Sequence, residues 1–167
     1  MACDFTVISA VRQRFGDTTR DGGEVPVEGE APFVGPSKDF PFSCPDVAPG
    51  EMAVLQFETV GVSVVSATSP RGIIRINGVD IPGGITPGPR QGDLPLWKSH
   101  TLLIEANVLR PDNVLHIESI MLRPLREEAT LDNFIIDNIV VFYKTRTRVI
   151  RPTLEGEFGV IPSLPEP

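Results

Sequence analysis

Apolar side chains in this chain recur at every second position and almost never at the three-and-four spacing of a helix. Ala53, Leu55, Phe57 and Thr59 alternate with Val54, Gln56, Glu58 and Val60. Leu102, Ile104, Ala106 and Val108 share one face of a second run, and Leu115, Ile117, Ser119 and Met121 one face of a third. Successive side chains of a strand point to opposite faces, so each run reads as a strand with one buried side. Only Leu122–Thr130 leaves room for a turn of helix. Between the runs stand most of the chain's 17 prolines and 15 glycines, which end strands and make turns. About eight strands with this punctuation predict an all-β sandwich or jelly roll.

The remaining stretches sort by the same criterion. Phe5–Phe15 alternates loosely and reads as one strand, with Phe5, Val7, Ser9 and Val11 on one side. Residues 16–50 carry Gly22-Gly23 and six prolines. They read as one long loop with short edge strands at Glu24–Val27 and Pro32–Val34, and a structureless segment of that length is functional or mobile. Thr18–Gly23 is expected to be its mobile part. Val62, Val64 and Ser66 extend the second strand past Gly61. Asn77-Gly78 inside Gly72–Ile81 marks a hairpin, because a type I′ turn needs positive φ at both central residues. Pro82–Pro95 reads as loop. Arg110-Pro111-Asp112-Asn113 is a turn sequence, which makes Thr101–Val108 and Asn113–Met121 a candidate strand pair. Asn133–Lys144 is apolar on both faces, with Phe134, Ile136, Val140 and Phe142 on one and Ile135, Ile139, Val141 and Tyr143 on the other. Such a strand is covered on both sides, by the core and by a loop or partner. Phe57, Ile76, Ile104, Leu115, Ile117, Phe134, Ile136 and Val140 are the expected core. One domain over residues 1–152 and a tail over 153–167 account for the 167 residues.

Charge narrows the partners. Fifteen Lys and Arg stand against 22 Asp and Glu, a formal charge of −7, and nucleic acid requires a basic footprint. Arg146, Arg148 and Arg151 read as a solvated strand face. No apolar run reaches the ~20 residues of a membrane-spanning helix. Met1-Ala2-Cys3-Asp4-Phe5 is not a basic and apolar leader, so the expectation is a cytoplasmic protein, unless a targeting segment was trimmed or export takes another route. Cys3 and Cys44 either form a disulfide or remain two thiols.

Three stretches together carry a resemblance. Ile74-Arg75-Ile76-Asn77-Gly78-Val79 and Leu102–Ile117, which contains Asn113-Val114-Leu115-His116-Ile117, look like the "NGV … N-V-L-x-I" pattern of galactose-binding-like jelly rolls. That superfamily includes carbohydrate-binding modules and the sugar-binding domains attached to β-galactosidase-type glycoside hydrolases. Asp132–Tyr143 resembles the closing "F-x-I-D-N-V" strand of several such modules. The likeness covers about residues 53–143, and it implies a single jelly-roll sandwich with a non-catalytic, carbohydrate-binding role. It also implies a calcium ion held by Asp137, for which Asp4 and Glu58 are candidate companions, because calcium takes six to eight oxygens. Asp137 is equally a residue that caps or bends its strand.

A sugar platform needs an exposed aromatic plane. Trp97, the one tryptophan, lies in a loop-like stretch before a strand; Phe33, Phe40 and Phe42 lie in the long loop. Trp97 either plugs the sandwich end or stacks on a ligand. The three phenylalanines serve as stacking planes, anchors of a protein contact, or residues that pack down on the sandwich. The alternative function is therefore an assembly subunit that uses this loop and the tail. Glu127, Glu128 and Asp132 read as an exposed acidic loop rather than an acid–base pair. His116 reads as packed or at an edge. Neither histidine belongs to a zinc spacing, and no G-x-S-x-G nucleophile motif occurs. Asp80, Pro82, Gly83 and Gly84 lack the Lys-Ser/Thr of a phosphate loop. No enzyme is expected.

Overall fold

The computed structural model describes residues 2–17, 31–63, 72–92, 94–120 and 131–146. Among them every regular element is a strand: β1 Ala2–Ser9, β2 Gln13–Phe15, β3 Phe33–Gly35, β4 Ser37–Ser43, β5 Ala53–Val60, β6 Ile73–Ile76, β7 Val79–Asp80, β8 Arg90–Gln91, β9 Leu94–Pro95, β10 Lys98–Ile104, β11 Asp112–Glu118 and β12 Phe134–Thr145. A six-stranded sheet runs β10-β5-β12-β2-β3, with β1 also on β12, and a four-stranded sheet runs β4-β11-β6-β7. β8 and β9 form a small ribbon. The two larger sheets contribute to one core, in which Leu55, Phe57, Ile104, Phe134 and Ile136 from the first cluster with Phe40, Ile74, Ile76, Leu115 and Ile117 from the second. The all-β sandwich follows from that shared core.

Where alternation is unbroken, the sequence reading of faces holds. Ala53, Leu55, Phe57 and Thr59 are all buried on β5, as are Leu102 and Ile104 on β10 and Leu115 and Ile117 on β11. The Asn77-Gly78 hairpin is present, with φ of 53° and 81°, the positive pair that a type I′ turn requires. Asn77 also does something periodicity does not reveal. Its Nδ2 donates to the Val108 carbonyl (2.8 Å) and to Asn113 Oδ1 (2.9 Å), and its Oδ1 accepts the Val114 N–H (3.0 Å). Asn113, itself buried, accepts the Arg110 N–H (2.8 Å) and donates to the Arg110 carbonyl (2.6 Å). The two asparagines of the sequence pattern thus join the β6–β7 turn to the start of β11.

Five expectations need correction. β10 and β11 are not a pair. β10 lies antiparallel on β5 and β11 between β4 and β6, so Glu105–Pro111 crosses from one sheet to the other, with Val108 buried on the way and Asn107 at φ 68°. Phe5–Phe15 is split between two strands: β1 and β2 lie end to end along one side of β12, opposite Thr145–Ile139 and Ile136–Phe134 respectively. Within residues 16–50, β3 meets the edge strand expected at Pro32–Val34, but the seven-residue β4 lies where loop was expected. Pro41 is tolerated in β4 because β4 is the edge of its sheet, where a missing N–H need cost no ladder bond, and Phe40 and Phe42 on either side both point into the core. Pro82–Pro95 likewise contains β8 and β9.

The fifth correction concerns β12. Its register on β5 shifts between Asp137 and Val140, and Asn138 there is left-handed at φ 51°, a conformation Asn adopts more readily than most residues. The extra residue reverses the parity of everything after it. The core face is therefore Phe134, Ile136, Ile139, Val141 and Tyr143. Val140, expected in the core, is only half-buried, and Phe142 is 42% exposed. The expectations for Glu24–Val27, Thr18–Gly23, Val64–Ser66, Leu122–Thr130, Arg148, Arg151 and the tail fall outside the described residues.

Gly16 closes the β2 end against Asn133. At φ +139° a side chain is strained, and a Cβ would overlap Asn133 Oδ1 and crowd its Cα at 3.2 Å. Asn133 is itself fixed by donating to Asp17 Oδ1 (3.2 Å). Gly16→Ala is expected to cost about 2 kcal/mol by overpacking and backbone strain, read as a lowered urea midpoint at unchanged slope. A midpoint equal to wild type would mean the Gly16–Asn133 contact is loose.

Candidate functional site

The outer face of the six-stranded sheet brings together two of the residues singled out from sequence. Trp97 stands between β9 and β10 and is 36% exposed. Its stretch is pinned on both sides: the Leu96 N–H donates to the Pro89 carbonyl (3.0 Å), and Lys98 Nζ donates to Thr86 Oγ1 (2.6 Å) and the Pro87 carbonyl (3.0 Å). The Arg12 guanidinium lies 5.3 Å from the centre of the Trp97 ring, within the range of a cation–π contact. The same guanidinium donates through Nε to Asp137 Oδ2 (3.1 Å). Arg12 thus couples Trp97 to Asp137, although their positions in the sequence give no hint of it.

The polar network continues from Asp137. Its Oδ1 accepts the Asn138 N–H (2.8 Å), which holds the bulge in place. Across the sheet Asp137 pairs with Glu58 on β5, and Glu58 with Ser99 on β10. Glu58 accepts from Asn138 Nδ2 (3.0 Å) and from Ser99 Oγ (3.3 Å). Two carboxylates directly opposite each other repel; the Arg12 cation and the Asn138 amide at the bulge offset that. The result is a half-exposed indole ring against one guanidinium, which ties it to a network of two carboxylates, an amide and a hydroxyl. Sequence reasoning missed Arg12, Ser99 and Asn138. The one available signal was Asp137-Asn138, two polar residues interrupting a strand otherwise apolar on both faces, which is how a bulge reads.

The other aromatic candidates are elsewhere. Phe40 and Phe42, at 6% and 8% exposure, lie in the core, so neither offers a plane to a ligand; of the three readings, packing on the sandwich is the one observed. Phe33 is half-buried on β3 with the Arg14 guanidinium 5.7 Å from its ring centre. Four strand spacings separate β3 from β10, about 19 Å at 4.8 Å each, so Phe33 is no part of the Trp97 platform.

Calcium at Asp137 fits poorly. One Asp137 oxygen is engaged by Arg12, the other by a backbone N–H. Asp4 lies opposite Tyr143, six residues along β12 from Asp137, about 20 Å at the rise of a strand. Among the described residues no three His, Cys, Asp or Glu side chains gather as a metal site. Asp137 accepts the Asn138 N–H at the bulge, as in the strand-bending alternative the sequence left open, and it also pairs with Arg12; Glu58, the other candidate companion, lies directly opposite and is engaged by Asn138 and Ser99.

Other titratable groups have structural roles. Asp132, 3% exposed, accepts the Ser63 N–H with both oxygens (3.1 and 3.2 Å) while Ser119 Oγ donates to its carbonyl (2.5 Å). Burial raises its pKa, and the Ser63 bonds partly oppose this. It is a buried tie rather than part of an exposed acidic loop; Glu127 and Glu128 lie outside the described residues. His116 is on the outer face of the small sheet, in a cross-strand row Asp39–His116–Arg75–Asp80. Its Nδ1 is 2.6 Å from Asp39 Oδ1, and Arg75 Nε is 2.7 Å from Asp80 Oδ1. Cys3 is exposed and Cys44 buried, both as free thiols. Burial pushes the Cys44 thiol up to about 11, against the lowering effect of a Thr6 hydrogen bond, so Cys44 remains protonated and inert.

No family model matches this chain. A search of curated proteins found no match to its sequence either.

Proposed function

We propose that the chain is a non-catalytic binding module whose ligand is a carbohydrate, built as a jelly roll of the galactose-binding-like kind. The observation that carries this reading is the Trp97 platform: a pinned, half-exposed indole ring against Arg12, which leads into the Asp137, Glu58, Asn138 and Ser99 network. A pyranose presents an apolar face that stacks on such a ring and hydroxyls that both donate and accept. The flanking groups supply both partners and are held in position by one another, so little order is lost on binding. The sequence pattern from residue 53 to 143 supports the same reading.

Trp97→Ala tests it. On a glycan array followed by titration calorimetry, wild type is expected to bind at least one neutral glycan, and the variant to bind it at least about tenfold more weakly, about 1.4 kcal/mol. The melting temperature should shift little, because the ring is already in part solvated. Wild type that binds no glycan, or a variant that binds as wild type does, would remove the proposal.

An assembly role is the second reading, and a different surface supports it from the one expected. The phenylalanines of the former loop, Phe40 and Phe42, are used inside the core. Among the apolar side chains left exposed are Phe5 and Val7 on β1, Leu103 on β10 and Phe142 on β12.

A further inference from the structure

The network that Arg12 joins to Trp97 is unequal in charge. Arg12 brings one cation; Asp137 and Glu58, directly opposite each other on β12 and β5, bring two carboxylates. The Arg12 guanidinium is engaged by Asp137 Oδ2 at 3.1 Å, and only 13% of the Asp137 side chain is exposed. Glu58 has no comparable partner. Its Oε1 accepts from Ser99 Oγ (3.3 Å) and its Oε2 from Asn138 Nδ2 (3.0 Å), both of them neutral donors. Among the described residues no Lys, Arg or His forms an ion pair with it. A carboxylate has about four acceptor sites, so the two neutral donors leave others open, and Glu58 is only half-buried. The carboxylate is thus aimed by its neighbours and neutralised by none of them. Ser99 is two residues on from Trp97, about 7 Å along an extended chain, and Glu58 lies opposite Ser99, one strand spacing of about 5 Å further. A hexose stacked on the indole, or the next residue of the glycan it belongs to, reaches Glu58 with a ring substituent.

We infer that Glu58 makes this platform selective for an amino sugar, a hexose that carries a free, protonated amine in place of one hydroxyl. Amino-sugar selectivity rests on Trp97 being a sugar platform and adds a charge to its ligand. A sugar hydroxyl meets Glu58 no better than water does. An ammonium donates three hydrogens together with a full charge, and a charge-assisted bond is shorter and about twice as strong as a neutral one. A cation beside the indole is favoured by the ring as well. Glycans that carry carboxylate or sulfate are disfavoured twice, by Glu58 at close range and by the net charge of −7 at longer range.

Trp97 is the chain's one tryptophan, so indole fluorescence reads this site directly. Titrations with glucose and glucosamine, and with galactose and galactosamine, compare a hydroxyl with an ammonium at one ring position, at about pH 6.5, where an alkyl amine is protonated. Each amino sugar is expected to bind about three- to fivefold more tightly than its neutral counterpart, the scale of a half-exposed ion pair. N-acetylglucosamine, which keeps the nitrogen but not the charge, should lose that gain, and salt should lessen it. Glu58→Gln should bring the ratio of the two affinities close to one, whatever happens to either affinity alone. The wild-type ratio and the N-acetyl comparison keep the test sound should that variant not fold. A wild-type ratio near one overturns the inference, and so does a raised ratio that persists in folded Glu58→Gln, which would assign the gain to the overall charge. Free lysine that quenches as strongly as glucosamine overturns it too, because the ligand would then be a cation rather than a sugar. Neutral sugars that bind with no gain from the amine remove this selectivity and leave the sugar platform standing; fluorescence that no sugar moves removes both.

Discussion

Replacing Phe40 and Phe42 together with serine is expected to leave the domain largely unfolded at 25 °C. Both side chains point from β4 into the core, where they lie opposite Leu115 and Asn113 of β11. Truncating one buried Phe costs about 3–5 kcal/mol through lost transfer free energy and the cavity that remains. Serine adds a hydroxyl with no partner, about 1–3 kcal/mol more at each site. The two positions share neighbours, so the losses do not simply add. Even so, about 6 kcal/mol or more stands against a total stability of about 5–15 kcal/mol. The Lys38 ammonium, 5.0 Å from the Phe40 ring centre, also loses its contact. Circular dichroism on heating should show no cooperative transition, or one at least about 20 °C lower. Asp39→Ser, on the outer side of the same strand, is the control and should change little. A double variant with near-native melting would mean that β4 does not seal this core.

The second large effect is a loss of stability in acid that originates at His100. This side chain is 5% exposed, its ring stacks on Phe57 at 4.7 Å, and its Nε2 is 2.8 Å from Thr59 Oγ1. Burial, with a smaller contribution from the Lys98 charge, lowers its pKa from 6.5 to about 4. Between those values the unfolded chain binds a proton there that the native chain does not, so native stability falls as pH drops through the window. Above 6.5 neither state is charged and nothing changes; below about 4 the loss is complete, about 3 kcal/mol at 1.36 kcal/mol per pH unit. Asp132 acts with the opposite sign. Its raised native pKa means that stability returns as it takes up a proton, so the net curve is shallower than His100 alone would make it. Comparing His100→Gln with wild type separates the two, since Gln can retain a bond to Thr59 but cannot titrate. The difference in urea midpoint between about pH 7.5 and pH 4.5 should shrink markedly in the variant. An equal acid sensitivity in both proteins would assign the loss to other groups.

Much of the architecture was legible before any coordinates. Wherever period-two alternation ran unbroken, as in Ala53–Val60 and in Leu115–Ile117, side-chain parity alone determined which residues became core. The Asn77-Gly78 turn was equally local, because few dipeptides tolerate positive φ twice. Seven of the eight expected core residues are buried for that reason: Phe57, Ile76, Ile104, Leu115, Ile117, Phe134 and Ile136. β4 escaped notice because its two prolines' worth of punctuation, Pro36 and Pro41, outweighed a short Lys38–Phe40–Phe42 alternation that only burial against β11 makes decisive.

The rest belonged to tertiary structure. Alternation states which side of a strand is apolar but not which strand lies beside it, and so Thr101–Val108 and Asn113–Met121, adjacent in sequence, went to different sheets. One left-handed residue, Asn138, reversed the faces of the second half of β12 and moved Val140 and Phe142 from the core to the surface. The candidate site depended on distance in the chain as well. Arg12, Trp97 and Asp137 meet because β2 and β5 flank β12 while β10 flanks β5. Local alternation sufficed to make this chain all-β and to name the core face of each unbroken strand, since both follow from the geometry of an extended backbone. Which strands are neighbours, where the faces reverse, and which polar groups gather around Trp97 were decided by contacts between segments far apart in sequence, to which local periodicity is blind.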